Sequence, residues 1–489
     1  MQFDFVAPII PMQALLPQTI LVITGLVVLL ADVCVSNKPR GLLPVLSMIG
    51  VLISTVFVLN ALTPQVGDYV SMVYVDGFSA FLNLTICLIL ILTILVSVNY
   101  QRTFEHMNTG EYYCLLLFAA VGMSFMATSG HLILLFVALE LMSVCVYVLT
   151  GFHRNNPRSL EASLKYFLLG AFASAFLLMG FAFLYGATGT LEMNAMSAFI
   201  AEHPQVATSG WLLLGLLLSI AGLGFKISMV PFHMWTPDVY QGAPTVITAF
   251  MATGVKAAAI AALVRVLMVT LAPLAVDWTM ILWVAAVATM FVGNIIALVQ
   301  EDVKRMLAYS SVAHAGYLLI GFVAGTEMGQ AGILYYLLAY ALMNMGAFGV
   351  ITLLGKDGEE YSTLSDFSGL GLKYPAMGLA MAVFMFSLAG IPPTAGFMGK
   401  FYIFTAAVKS GYVWLVLLGA INSVISIYYY LRVIVTMYFS APAESPNVLP
   451  STTAPLTVAL SIAVTGVLVM GVFPSLFWTL AQGSIFSLM

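Results

Sequence analysis

Run after run of about twenty apolar residues, joined by short connections, leaves this chain few ways to fold. A helix crossing the hydrocarbon core of a bilayer needs about 20 such residues. Runs of this kind fall at 15–33, 42–61, 78–98, 112–126, 132–150, 160–185 and 211–239. Others follow at 246–271, 280–299, 303–323, 333–354, 376–408, 413–438 and 456–480. The reading is an all-α polytopic membrane protein with about 14 transmembrane helices. Only 7% of the 489 residues are charged, against about 25% in soluble domains. That is too few to coat a water-facing surface, and the apolar content excludes a disordered or collagen-like chain. A net charge of −4 offers no footprint for nucleic acid. Cys34, Cys87, Cys114 and Cys145 lie in apolar runs without a CxxC or a Cys/His cluster. They read as packing residues, and no haem, iron–sulfur or zinc site is expected. The first run lacks the basic flank of a signal peptide, so it is expected to be a retained helix.

The basic residues set the orientation. Lys38 and Arg40, Arg102, Arg154 and Arg158, Lys304 and Arg305, Lys356 and Lys373, and Arg432 all follow odd-numbered runs. Lys409 is the exception, and Arg265 lies near the end of a run. The positive-inside rule makes the odd-to-even side cytoplasmic, which puts both termini outside.

Two runs are interrupted. One reads GLGFKISMVPFHMWTP over 222–237 and the other SLAGIPPTAGFMGK over 387–400. Proline removes a backbone donor and clashes with the preceding turn. In lipid the freed carbonyls need another partner, so such breaks survive inside protein or beside water. Paired breaks in corresponding parts of two halves point to a transport site. Here they fall in runs seven and twelve, five apart. That spacing suggests two inverted five-helix repeats with discontinuous helices 7 and 12. The expected division is 1–105 for three N-terminal helices, 106–272 for the first repeat, 273–440 for the second, and 441–489 for helix 14. Two ordinary proline kinks are the plainer reading.

Ionisable side chains at mid-bilayer cost about 2.5–3.5 kcal/mol each on insertion scales. This chain keeps Glu140 in run five, Lys226 and His233 at the first break, Lys256 in run eight, His314 in run ten, and Lys400 past the second break. A Glu140–Lys226 pair alone could simply hold helices together. The set is harder to explain that way, because three central lysines face one central carboxylate. Desolvation disfavours a buried ammonium, so such a lysine can release and rebind a proton. Lysines spread along the midplane with histidine between them suit a proton relay. Ser228, Thr245, Thr248, Thr253, Ser310 and Ser311 are candidate hydroxyl carriers, each also able to back-bond to a helix carbonyl. Glu161 and Lys165 stand four apart near the start of run six, as a helix-end pair or as relay members. His106, His131, His153 and His203 read as loop histidines, Asp238 as a cap or pair, and Arg265 as a snorkelling residue or an exit-side gate. No Walker A, GxGxxG or carboxylate-rich sodium cage is evident.

The segment VPFHMWTPDVYQGAP at 230–244, with Lys226 before it, resembles a signature of the antiporter-like membrane subunits of respiratory complex I. DVKRMLAYSSVAHAGY at 302–317 resembles the family's ninth-to-tenth-helix signature. The resemblance spans essentially the whole chain. GFHRNNPRSLEASLKYF at 151–167 and GIPPTAGFMGKF at 390–401 single out one branch of the family. Subunit L carries a long lateral helix after its core, whereas this sequence stops after run fourteen. Subunit M is expected to have Glu where Lys400 stands. The resemblance implies a proton relay of Glu140, Lys165 (with Glu161), Lys226, His233, Lys256, His314 and Lys400, with Glu140 and Lys226 as a pair. It implies proton translocation coupled to electron transfer from NADH to quinone, with no cofactor in this chain. FMN, iron–sulfur clusters and quinone would belong to partner subunits. The implied neighbours are subunits M, K and J in a bacterial inner membrane, with both termini periplasmic. The alternative is a subunit of a multi-subunit cation/proton antiporter, which shares the fold without redox chemistry.

Overall fold

The computed structural model describes residues 15–35, 41–60, 68–70, 72–104, 107, 109–356, 359–441 and 452–485. Lys38, Arg40 and His106 lie outside the described residues. Among the described residues, twelve helices of 19 to 32 residues are long and apolar enough to cross a membrane. Runs seven and twelve are each split in two, into Gly210–Lys226 with Trp235–Gly242 and Pro375–Ala389 with Ala395–Lys409.

Local chemistry sets the helix ends. Asp302 caps Val303–Ala324 by accepting from the Arg305 amide, and Asn156 caps Pro157–Thr188 with proline at the first turn. Gly189 and Gly325 take left-handed conformations just past two C-termini, where a side chain would be strained. Each break also contains a left-handed residue, Ser228 at φ 64° and Gly390 at φ 83°. For Ser228 that conformation costs about 1–2 kcal/mol. The Thr236 hydroxyl donates to the Ser228 hydroxyl at 2.7 Å, and Trp235 Nε1 donates to the Phe225 carbonyl at 2.9 Å. The Trp235 bond gives a backbone carbonyl at the break a partner, and the hydroxyl pair ties its two sides together.

The helices form a core and a shell. Thr245–Thr270 is buried throughout its apolar window, and Val303–Ala324 and Glu327–Ile351 are buried over 94% of theirs. Leu16–Cys34 is buried over 22% and turns Ile23, Leu26, Val27, Leu30 and Val33 outward. An apolar outer face suits lipid, and the ionisable residues concentrate in the inner helices where partners exist.

Three expectations need correction. The connection after run six is not short: it holds the helix Met193–Glu202, which buries Met193, Met196 and Ile200 beneath a polar face. Run fourteen stops at Val472, and Pro474–Gly483 is a separate helix, because proline there cannot continue the preceding one. The two short antiparallel hairpins, Asp68–Val70 with Val73–Val75 and Gly355–Lys356 with Glu359–Glu360, leave the fold all-α. Cys34 is exposed, unlike Cys87, Cys114 and Cys145.

Candidate functional site

The helix Val303–Ala324 is the spine of the site. Ser311, His314 and Tyr317 follow at three-residue steps, so each lies beside the next along the helix surface. Lys256 reaches that surface at Ser311, where its ammonium donates to both the carbonyl and the hydroxyl oxygen. It also lies 5.1 Å from the centre of the Tyr340 ring. One turn further on, His314 is held between two phenols, Tyr336 at Nδ1 and Tyr430 at Nε2, the latter at 3.0 Å. Tyr430 also bonds Ser310. Another turn on, the Tyr317 ring lies 4.6 Å from the Lys400 ammonium. Lys400 donates to the carbonyls of Leu388 and Ala389 at 3.2 and 3.1 Å and to the Ser423 hydroxyl at 3.0 Å. The second break frees those carbonyls. The Tyr317 hydroxyl adjoins a buried amide pair: Asn294 donates to it at 3.3 Å and to Asn422 at 3.1 Å.

The first break extends the row. Lys226, 2% exposed, donates to the Tyr147 hydroxyl at 3.0 Å and packs 5.2 Å from the Tyr166 ring. Tyr166 stacks on Trp235 with centroids 4.4 Å apart, and Trp235 meets Tyr240 edge-on. The Tyr240 hydroxyl is 3.4 Å from Ser311 Oγ, beside Lys256. Among the described residues no carboxylate pairs with Lys226, Lys256 or Lys400. Hydroxyls, carbonyls and aromatic faces solvate them instead. The hydroxyls of Tyr166 and Tyr340 have no protein partner and so offer hydrogen-bonding sites to water along the row.

Three predicted members sit elsewhere. Glu140 and Lys226 do not form an ion pair. Glu140 is half-buried near the shell and accepts from the Ser174 hydroxyl. Lys226 meets the same helix at Tyr147, seven residues or about 10 Å further along its axis. Lys165 lies outside the buried row, its side chain 42% exposed between Glu161 at 2.7 Å and Asp238 at 2.9 Å. Asp238 also pairs with Arg305 at 2.7 Å, so this is a rim cluster rather than a buried link. His233 is half-buried on the flank beside exposed Met234, and its Nδ1 has no partner. Of the candidate hydroxyls, Ser310 and Ser311 join the row and Thr253 back-bonds to the Ala249 carbonyl.

Several side chains escaped sequence reasoning. Lys304, counted in sequence only among the basic residues that set the orientation, is 1% exposed and pairs with Glu360 at 2.7 Å. Glu360 also accepts from Tyr100 and from the amide and hydroxyl of Thr245, both at 2.9 Å. Burial pushes its carboxyl up, but the Lys304 charge and these donors outweigh that and hold it below the usual carboxylate range. His153 is buried, stacked on Tyr100 and tilted against Phe104. Arg265 does not snorkel: it is 1% exposed and grips both oxygens of Asp76 at 2.8 and 2.7 Å. No sequence signal marks these pairs, because their partners stand 56 and 189 residues apart. The residues described contain no group of three His, Cys, Asp or Glu placed to hold a metal.

Fold and site together define an all-helical, multi-pass membrane protein with a row of buried basic groups linked through hydroxyls. A family model described as NADH:quinone oxidoreductase/Mrp antiporter, transmembrane, matches residues 129–426. The NADH-quinone oxidoreductase subunit N of Trichlorobacter lovleyi is 47% identical over 476 residues, covering 97% of each chain. A chain of respiratory complex I from Thermus thermophilus with bound aureothin superposes with a TM-score of 0.81 at 35% identity. That match covers 96% of this chain and 100% of the other. A chain of the Mrp complex from Dietzia superposes with a TM-score of 0.81 over 97% of each chain. At 19% identity it shows a shared fold alone. This chain belongs to the NADH:quinone oxidoreductase/Mrp antiporter transmembrane family.

Proposed function

We propose that the chain is the N-type membrane-arm subunit of a proton-pumping NADH:quinone oxidoreductase. The spacing of Ser311, His314 and Tyr317 carries this reading, since one helix brings Lys256 and Lys400 to either side of a single histidine. Protons move along Lys226, Lys256, His314 and Lys400, with the Tyr147, Tyr240, Ser311, Tyr336 and Tyr430 hydroxyls between them. Charging one site disfavours protonation of its neighbour, as in any coupled titration. Glu140 acts from the flank of the row. Lys165 serves at its cytoplasmic rim, and His233 lies on the side turned to a neighbour or to lipid. The two halves, 106–272 and 273–440, act as inverted repeats that each supply one broken helix.

Electron transfer takes place elsewhere in the complex, in partner subunits that hold the flavin, the iron–sulfur clusters and the quinone. Subunits M, K and J are the membrane neighbours. The complex sits in a bacterial inner membrane with both termini of this chain periplasmic. The antiporter reading rests on a relative at 19% identity, against 47% for a quinone oxidoreductase subunit.

The test is Lys226→Ala in the intact complex. The complex assembles, and the ratio of protons moved to electrons transferred falls. A normal ratio with the subunit in place would reject the relay.

A further inference from the structure

The helix that carries Lys256 has, near each end, an ion pair whose cation is buried and whose carboxylate is partly exposed. At the Thr245 end, Glu360 accepts from the Thr245 amide and hydroxyl at 2.9 Å and from Lys304 at 2.7 Å. Lys304 also donates to the Ala243 carbonyl at 2.7 Å, which ties the elbow before the helix to the start of the spine. At the other end, Arg265 holds both oxygens of Asp76, donates to the Ala127 carbonyl at 3.4 Å, and lies 4.3 and 4.8 Å from the rings of Tyr74 and Phe78. Lys256 stands eleven residues from Thr245 and nine from Arg265, about 16 and 14 Å at the helical rise. Between Lys256 and Arg265 the helix is KAAAIAALV, buried throughout. Two stretches of this helix, Met251–Val255 and Arg265–Thr270, are π-helical. Their wider turns mark places where a helix can adjust at low cost, and such turns cluster at functional sites.

We propose that Glu360–Lys304 and Asp76–Arg265 are the two gates of Lys256, which part alternately so that its ammonium communicates with one side of the membrane at a time. This rests on the reading of Lys256 as a proton carrier. Each gate is a carboxylate–cation pair, so its strength responds to the charge on Lys256 along the same helix. The ionic pairing then has to matter in itself. A pair that only clamps helices can be replaced by neutral side chains of similar size without loss of activity.

The experiment uses the intact complex in sealed vesicles, with NADH and quinone supplied and internal pH followed. Asp76→Asn/Arg265→Met removes both charges, and Asn retains the cap that Asp76 provides to the helix Gly77–Thr103. The expected result is an assembled complex with tight vesicles and lost pumping. Arg265→Lys keeps the charge and is expected to keep pumping. Normal pumping in the neutral pair would overturn the gates. Loss in Arg265→Lys equal to that in the neutral pair would also overturn them, because shape and not charge would then be what matters. Should the neutral pair fail to assemble, Lys304→Met/Glu360→Gln asks the same question at the other end, and normal pumping there overturns the proposal. Lys256→Ala separates the two readings. If it pumps normally, the relay fails first; if it does not pump while the neutral pair does, the gates alone fail.

Discussion

Gly170→Ala places a methyl group where the relay has no room for one. A Cβ at this position would lie 2.0 Å from the Tyr147 hydroxyl and 2.7 Å from its ring carbon. Ordinary contact begins near 3.4 Å, so the phenol has to retreat by about 1.4 Å. That hydroxyl is the acceptor for Lys226, at 3.0 Å, and such a retreat takes it out of hydrogen-bond range. A hydrogen bond to a charged group contributes about 1.5–3 kcal/mol. If the bond is needed when Lys226 carries a proton, pumping slows roughly 10- to 150-fold. The helix is not weakened, since alanine is favoured over glycine in a helix interior by about 1 kcal/mol. The assay is NADH-driven acidification or alkalinisation of sealed vesicles, normalised to the amount of assembled complex. Tyr147→Phe removes the same hydroxyl without crowding and is expected to show the same loss. Normal pumping in both variants, with the subunit present, would refute the role given to this contact.

Tyr430→Phe removes the Nε2 partner of His314 at a net cost of about 0.5–1.5 kcal/mol, so the rate of NADH-driven proton movement falls roughly 2- to 13-fold; an unchanged rate would count against His314 as a link. Lys165→Ala breaks ion pairs that are partly exposed, worth about 0–1 kcal/mol, and pumping stays within roughly fivefold of wild type by the same vesicle assay. The lowered pKa of Glu360 makes a pH prediction. A carboxyl held lower in the folded protein stabilises it above the unfolded value, about 4.3, and that contribution is lost as pH falls through the folded value. Retention of this subunit in the detergent-solubilised complex is therefore flat from pH 7 to about 5 and drops below about 4. Glu360→Gln flattens the drop, and an identical acid profile in the variant would contradict the pairing.

Much of this architecture was legible because lipid enforces simple rules. Helix length and apolar runs found the twelve continuous spans, and the prolines at 231, 237, 392 and 393 found both breaks. The cost of charge at mid-bilayer singled out Glu140, Lys226, His233, Lys256, His314 and Lys400; the three lysines and His314 are buried, and Glu140 and His233 are half-buried. Partners were harder to read. Glu140 and Lys226 attract each other on paper, yet a tyrosine that no charge argument selects takes the lysine. Lys304 counts in sequence only among the basic residues that set the orientation, but a carboxylate 56 residues away draws it inward. The π-helical turns flanking Lys256 leave no trace in hydrophobic periodicity, because every face of that helix is apolar and buried. Long-range pairs of this kind depend on how helices pack, and a single sequence does not encode that packing in any local pattern.

Lys256→Ala in the intact complex, reconstituted in sealed vesicles, tests the account most directly. NADH and quinone are added, and oxidation and internal pH are followed together for wild type and variant. The account predicts an assembled complex that loses both the pH gradient and coupled oxidation. An undiminished gradient with the subunit in place would mean that the lysine row is structural, and the relay would be wrong.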